Sequence, residues 1–300
     1  MSLPPRHLLL ALAVVAVWGT NFAVIKAALA TMPPLLFATL RFALAFFPAM
    51  LFIRRPAAGW KLLAAYGVLI GAGQFGVLYL AMKADISPGL ASLVVQTQVF
   101  FTIGLAIAIA GERVRAYQWA ALALAAAGIV VIATHTDGST TPLGLAMVLF
   151  AALSWAAGNH VARAAGKIDM LAFVVWSSVF ALPPLLALSL AIEGPAAIGH
   201  ALVHAGWGTW AAVLWQTVGN TLFGYAAWAW LLARHPAAAV SPLALLVPVF
   251  GMGASALALG EPLPAWKLGA AALVMAGLAL NLFWPQLRRL LDYQARGSTR

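Results

Sequence analysis

The chain has 300 residues, 64% of them hydrophobic and only 8% charged, with a formal net charge of +10. A soluble domain carries about 25% charged residues, so this composition cannot clothe a water-soluble fold of this size. It implies an integral membrane protein with almost no extramembrane domain. The basic excess falls in short loops, where it orients membrane helices rather than binding nucleic acid, and the absence of cysteine excludes a disulfide framework.

Ten hydrophobic segments follow in order: residues 7–29, 34–53, 61–82, 88–110, 117–134, 143–163, 170–192, 209–232, 238–259 and 265–284. Each is close to the roughly 20 residues needed to cross a bilayer. Arg6 followed by the apolar run Leu8 to Val17 has the form of a signal peptide. Trp18-Gly19-Thr20-Asn21 is a poor cleavage site, however, and the apolar run continues to about Leu29, so this is the first membrane helix. The breaks carry turn chemistry: Met32-Pro33-Pro34, Arg54-Arg55-Pro56, Ser87-Pro88-Gly89, Asp137-Gly138, Glu193-Gly194-Pro195 and His235-Pro236. The stretch 193–208 reads as a short interfacial helix.

With the N-terminus inside, thirteen of the seventeen basic residues fall at inside ends, and only Lys26, Lys83 and Lys267 fall outside. Arg41 lies within the second helix. This asymmetry orients ten helices with both termini cytoplasmic. The chain also repeats. Setting Glu112 against Glu261 pairs Ser92 with Ser241, Phe101 with Phe250, Gly104 with Gly253 and Gly128 with Gly277. Trp18 and Asn21 open the first half as Trp155 and Asn159 open the second. Five helices per copy is an odd number, so the second copy enters from the opposite side. The expected fold is an all-α membrane protein of ten transmembrane helices in two inverted five-helix repeats, residues 1–137 and 138–287, followed by a cytoplasmic tail, 288–300. Inverted repeats are the usual construction of secondary transporters.

The Trp/Asn opening helix, the apolar helix ending in Gly111-Glu112-Arg113 and the following helix with Gly128, doubled over the chain, resemble the EamA-type drug/metabolite transporter superfamily. The aromatic content makes the chain most similar to YddG-type exporters of aromatic amino acids. The resemblance implies a multi-pass carrier that exports amino acids or related metabolites, with Thr/homoserine-type amino acids and lipophilic drugs as the alternative cargo. Two positions depart from the family pattern. Gln98-Val99-Phe100 stands where the family has Pro before Val-Phe, as the second half does in Pro248-Val249-Phe250. Glu261 is followed by Pro262 rather than a basic residue.

Polar side chains inside hydrocarbon are costly and face a cavity or another helix. On that ground the expected substrate-binding set is Trp18, Asn21, Gln74, Tyr79, Gln98, Trp155, Asn159, His160, Trp176, Gln216, Asn220 and Trp228. Amides supply hydrogen bonds to a zwitterion, and aromatic faces pack a side chain or hold an ammonium group. Gln96 and Gln98, two residues apart on an α-helix, should point about 200° apart and not into one cavity. Trp60, Trp119, Trp207, Trp266 and Trp284 lie at segment ends as an interfacial belt. All seven acidic residues fall in loops or at helix ends, which predicts transport without obligatory ion coupling. Glu112 and Glu261 follow helix-ending glycines and are expected to fix helix ends rather than bind ligand. No catalytic motif or cofactor site is present, so an enzyme is not expected. The expected partners are a small-molecule substrate and the lipid bilayer. The alanine-rich composition points to a prokaryotic source and hence to a bacterial inner membrane, and a monomer is expected there.

Overall fold

The computed structural model describes residues 3–110, 115–135 and 139–297. Gly111-Glu112-Arg113 and Asp137-Gly138 therefore lie outside the described residues. The regular elements are helices. In chain order they are α1 (Pro5–Ala28), α2 (Pro34–Phe46), α3 (Trp60–Ala84), α4 (Pro88–Ile109), α5 (Ala116–Thr134), α6 (Pro142–Ala164), α7 (Met170–Leu188), α8 (Gly194–His204), α9 (207–234), α10 (Ser241–Leu259) and α11 (Ala265–Gly297). Among the described residues, nine helices are long and apolar enough to cross a membrane. The helical stretch 207–234 is not one of them. It has the length, but Trp207, Trp210, Trp215, Gln216 and Asn220 lower its hydropathy.

Starts and stops follow local chemistry. Proline occupies the first turn of α1, α2, α4 and α6, where a missing N–H costs nothing. Thr141 accepts from Gly144 N at 2.9 Å, and Asp169 accepts from Leu171 N at 2.9 Å, capping α6 and α7. Gly194 breaks the chain after α7 with φ +82°, and α8 is the short helix expected there. Gly260 ends α10 in the left-handed conformation, φ +67°.

Other ends are closed from a distance. Glu193 accepts from Leu35 N (2.6 Å) and Leu36 N (3.0 Å), satisfying the orphan donors of α2. Glu261 does the same for α4, accepting from Gly89 N at 2.9 Å and Ser87 Oγ at 2.5 Å, and it pairs with Lys267 at 3.0 Å. The expectation that Glu261 fixes a helix end holds. Lys26 donates to Met82 O (2.8 Å) at the end of α3, while Lys83 donates to Leu29 O at the end of α1. Each lysine thus satisfies carbonyls of the other's helix.

The packing pairs include α3 with α6, α3 with α7, α1 with α10, α6 with α4, α2 with α7, and α5 with α11. Close approach depends on small residues. A Cβ on Gly128 would lie 2.9 Å from Ala270 O, and one on Gly277 would lie 2.5 Å from Ala121 O, so α5 and α11 touch backbone to backbone.

Three stretches leave α-geometry for π-helix: Leu69–Gly76 in α3, Ser189–Glu193 after α7, and Trp215–Phe223 in α9. Such insertions concentrate at functional sites, and the first and third carry the polar residues described next.

Candidate functional site

A cavity of about 350 Å³ lies inside the bundle. Its walls come from both halves of the chain. Trp18, Asn21, Gln74, Gln98, Trp155, Asn159, Asn220 and Trp228, eight of the twelve expected site residues, line it. Apolar and aromatic positions complete the wall, among them Phe22, Tyr66, Phe75, Leu78, Tyr225 and Val247. No lining residue carries a formal charge.

α1 supplies Trp18 and Asn21. The Trp18 indole donates to Asn220 O at 3.2 Å and packs against Trp228 at 5.2 Å between centroids. Gly224 makes room for it, because a Cβ there would lie 2.3 Å from Trp18 Nε1. α6 supplies Trp155 and Asn159, and Asn159 Nδ2 donates to Gln98 Oε1 at 3.0 Å, tying α6 to α4. Gln98 thus bonds to a partner helix while facing the cavity.

Gln96 also lines the cavity, against expectation. The reason is a 3-10 turn over Val95–Thr97. At about three residues per turn, two positions two residues apart come to roughly 120° of each other.

Four expected residues do not line the cavity. Tyr79 and Gln216 stand behind the wall: Tyr79 Oη donates to Gln216 Oε1 at 3.0 Å, and Gln216 Nε2 donates to Asn21 Oδ1 at 2.5 Å. His160 Nε2–H donates to Thr102 O at 3.1 Å. Trp176 donates to Ile53 O at 2.9 Å and packs on Phe46 and Trp60, so its polar handle serves the junction of α7 with the loop after α2.

What the arrangement can do follows from its chemistry. Uncharged amides replace the hydration of a polar group, and aromatic walls bury an apolar one. Among the described residues no group of three or more His, Cys, Asp or Glu side chains could hold a metal ion. Among the described residues, the cavity wall offers neither a nucleophile beside a base nor a carboxylate pair.

The sequence profile of the EamA-like transporter family matches residues 6–134 and again residues 142–283. The chain belongs to the EamA-like transporter family. Two curated relatives share its length. One from Salmonella typhimurium, "Probable amino-acid metabolite efflux pump", is 42% identical over 286 residues, covering 93% of this chain and 96% of the relative. One of the same name from Escherichia coli is 40% identical, with the same coverage. A solved crystal structure of a protein 19% identical superposes with a TM-score of 0.60, covering 95% of this chain and 98% of the other, and shares the fold. The chain is therefore a multi-pass membrane transporter of this family and not an enzyme.

The residues that sequence reasoning missed are mostly apolar: Phe22, Ile25, Leu78, Val95 and Val247. In a membrane helix these types fill lipid-facing, packed and cavity positions alike, so no compositional signal marks them.

Proposed function

We propose that this protein exports neutral amino acids, aromatic ones included, or closely related metabolites from the cytoplasm by alternating access. It would act as a monomer in the bacterial inner membrane, with both termini cytoplasmic. In this reading the stretch 207–234 is the tenth crossing helix. It tolerates low hydropathy because its polar face turns to the cavity and its neighbours rather than to lipid. The halves 1–137 and 138–287 then run in opposite senses.

The observation that carries the reading is the cavity itself: about 350 Å³, aromatic-walled, lined by uncharged amides from both halves. That volume is at the small end of ligand pockets, which suits an amino acid better than a nucleotide sugar. The packing pairs support the two-fold arrangement. α1 on α10 and α6 on α4 exchange with one another when the halves are swapped, while α2 with α7 and α5 with α11 map onto themselves. The family profile's two matches agree with a doubled unit, and the relatives named as amino-acid metabolite efflux pumps support the cargo class.

With no carboxylate on the wall and the His160 ring engaged elsewhere, transport does not depend on a proton gradient. The test is exchange in liposomes. Liposomes carrying the purified protein are loaded with L-phenylalanine and offered labelled phenylalanine, tryptophan, leucine or threonine at equal pH on both sides. Exchange of at least the aromatic substrates without a gradient is expected. No exchange with any of them, or exchange only under an imposed proton gradient, contradicts the proposal.

A further inference from the structure

Arg41 has no part in the reading above, yet a buried charge in a membrane helix is costly. It is 1% exposed, it lies within a membrane helix, and no carboxylate pairs with it among the described residues. Its guanidinium donates from Nη1 to Tyr79 Oη at 2.9 Å and from Nε and Nη2 to Thr221 Oγ1 at 3.3 and 3.1 Å. It also lies 3.7 Å over the Phe75 ring, and Phe75 is a wall of the cavity. A single aromatic ring separates the cation from the substrate space.

The guanidinium can only donate. Tyr79 must therefore accept from it, so the phenol's proton goes to the other neighbour, Gln216 Oε1, at 3.0 Å. With its carbonyl taken, Gln216 offers its NH₂, which reaches Asn21 Oδ1 at 2.5 Å. With Oδ1 turned to Gln216 by that bond, Asn21 presents its Nδ2–H group to the cavity it lines. Turning either amide over would set two donors or two acceptors face to face. Thr221 obeys the same logic, accepting from Arg41 and donating to Gln216 O at 2.9 Å. The buried cation thus fixes the direction of a four-member chain whose free end is a donor. Such chains strengthen along their length in a low-dielectric interior.

We propose that Arg41 is a specificity-determining positioning residue. Through Tyr79 and Gln216 it makes the Asn21 end of the cavity a site for a free carboxylate. This rests on the amino-acid reading above and narrows it: the cargo must keep an unmodified α-carboxylate.

The test is binding to the purified protein, read by intrinsic tryptophan fluorescence from Trp18, Trp155 and Trp228 in the cavity wall. Two pairs of probes are titrated: L-phenylalanine against L-phenylalaninamide, and L-leucine against L-leucinamide. A unit charge acting over about 10 Å at an effective dielectric near 20 gives roughly a tenfold preference. Wild type should therefore favour each acid over its amide by at least that factor. Arg41→Gln should bring the ratio close to one. Tyr79→Phe, which breaks the relay but keeps the cation, should lower it, and Arg41→Lys should keep most of it. Tyr79→Phe keeps the ring and serves if Arg41→Gln does not fold. A purely structural Arg41 would weaken both members of a pair equally. An unchanged ratio in Arg41→Gln or Tyr79→Phe, or no acid preference in wild type, overturns the inference and leaves the export reading standing. No binding of any probe to wild type removes the amino-acid reading, and the inference with it.

Discussion

Glu261→Gln removes one charge from a site built for two. Glu261 and Lys267 are 6% and 2% exposed and lie 3.0 Å apart. The carboxylate also accepts from Ser87 Oγ and Gly89 N, closing the N-terminus of α4. Neutralising it leaves the buried ammonium without a counter-charge, which costs about 3–5 kcal/mol. The two bonds to α4 lose their charge assistance, at about 1 kcal/mol each. A destabilisation of roughly 5 kcal/mol is expected for the single variant on those two grounds. Replacing both residues, Glu261→Gln with Lys267→Met, removes the stranded charge and should recover about 3 kcal/mol of that loss. Denaturant unfolding in mixed micelles, followed by tryptophan fluorescence, measures both. If the double variant is no more stable than the single one, or if the single variant loses under about 1 kcal/mol, the pair is not the buried, mutually dependent unit described here.

Trp176→Phe should lower stability by about 1 kcal/mol through the lost bond to Ile53 O, with the apparent substrate affinity unchanged. Trp155→Ala, Asn220→Ala and Gln98→Ala, all on the cavity wall, should weaken substrate binding in the same titration. Gly277→Leu pushes a side chain into Ala121 O and should cost about 1–3 kcal/mol or more by overpacking the α5–α11 crossing, visible as a lower melting temperature in detergent. Gly224→Ala should displace the Trp18 indole and weaken substrate binding without unfolding the protein, checked by pairing the titration with size-exclusion profiles.

The bundle was legible because the hydrocarbon leaves few choices. Apolar runs of fixed length, with Pro, Gly and acidic residues between them, map onto helices whose ends mostly move by a few residues; α2 stops at Phe46, short of residue 53, and α11 runs on to Gly297 through the stretch expected as a tail. Part of the site was legible for a related reason. Asn21, Asn159 and Asn220 are polar groups in apolar runs, and a polar group there must find a partner or a cavity. That rule does not say which. Trp176 and His160 meet it by bonding to backbone carbonyls, whereas Asn220 meets the cavity. The π-helical stretches in α3 and α9 were not legible, since nothing in Leu69–Gly76 or Trp215–Phe223 distinguishes an i→i+5 ladder from an α-helix. Nor was the 3-10 turn that brings Gln96 beside Gln98. The Arg41 relay depends on residues 38, 175 and 180 positions apart along the chain, and so it emerges only from the folded arrangement.

The central claim is that this cavity is a substrate chamber reached in turn from each side of the membrane. The chain has no cysteine, so a single Val247→Cys or Phe75→Cys reporter can be placed on the cavity wall without background. In oriented vesicles, a membrane-impermeant maleimide added to either face should label that reporter, and saturating L-phenylalanine should protect it from both. Labelling from one face only, however long the exposure, or labelling that no amino acid slows, would contradict the account.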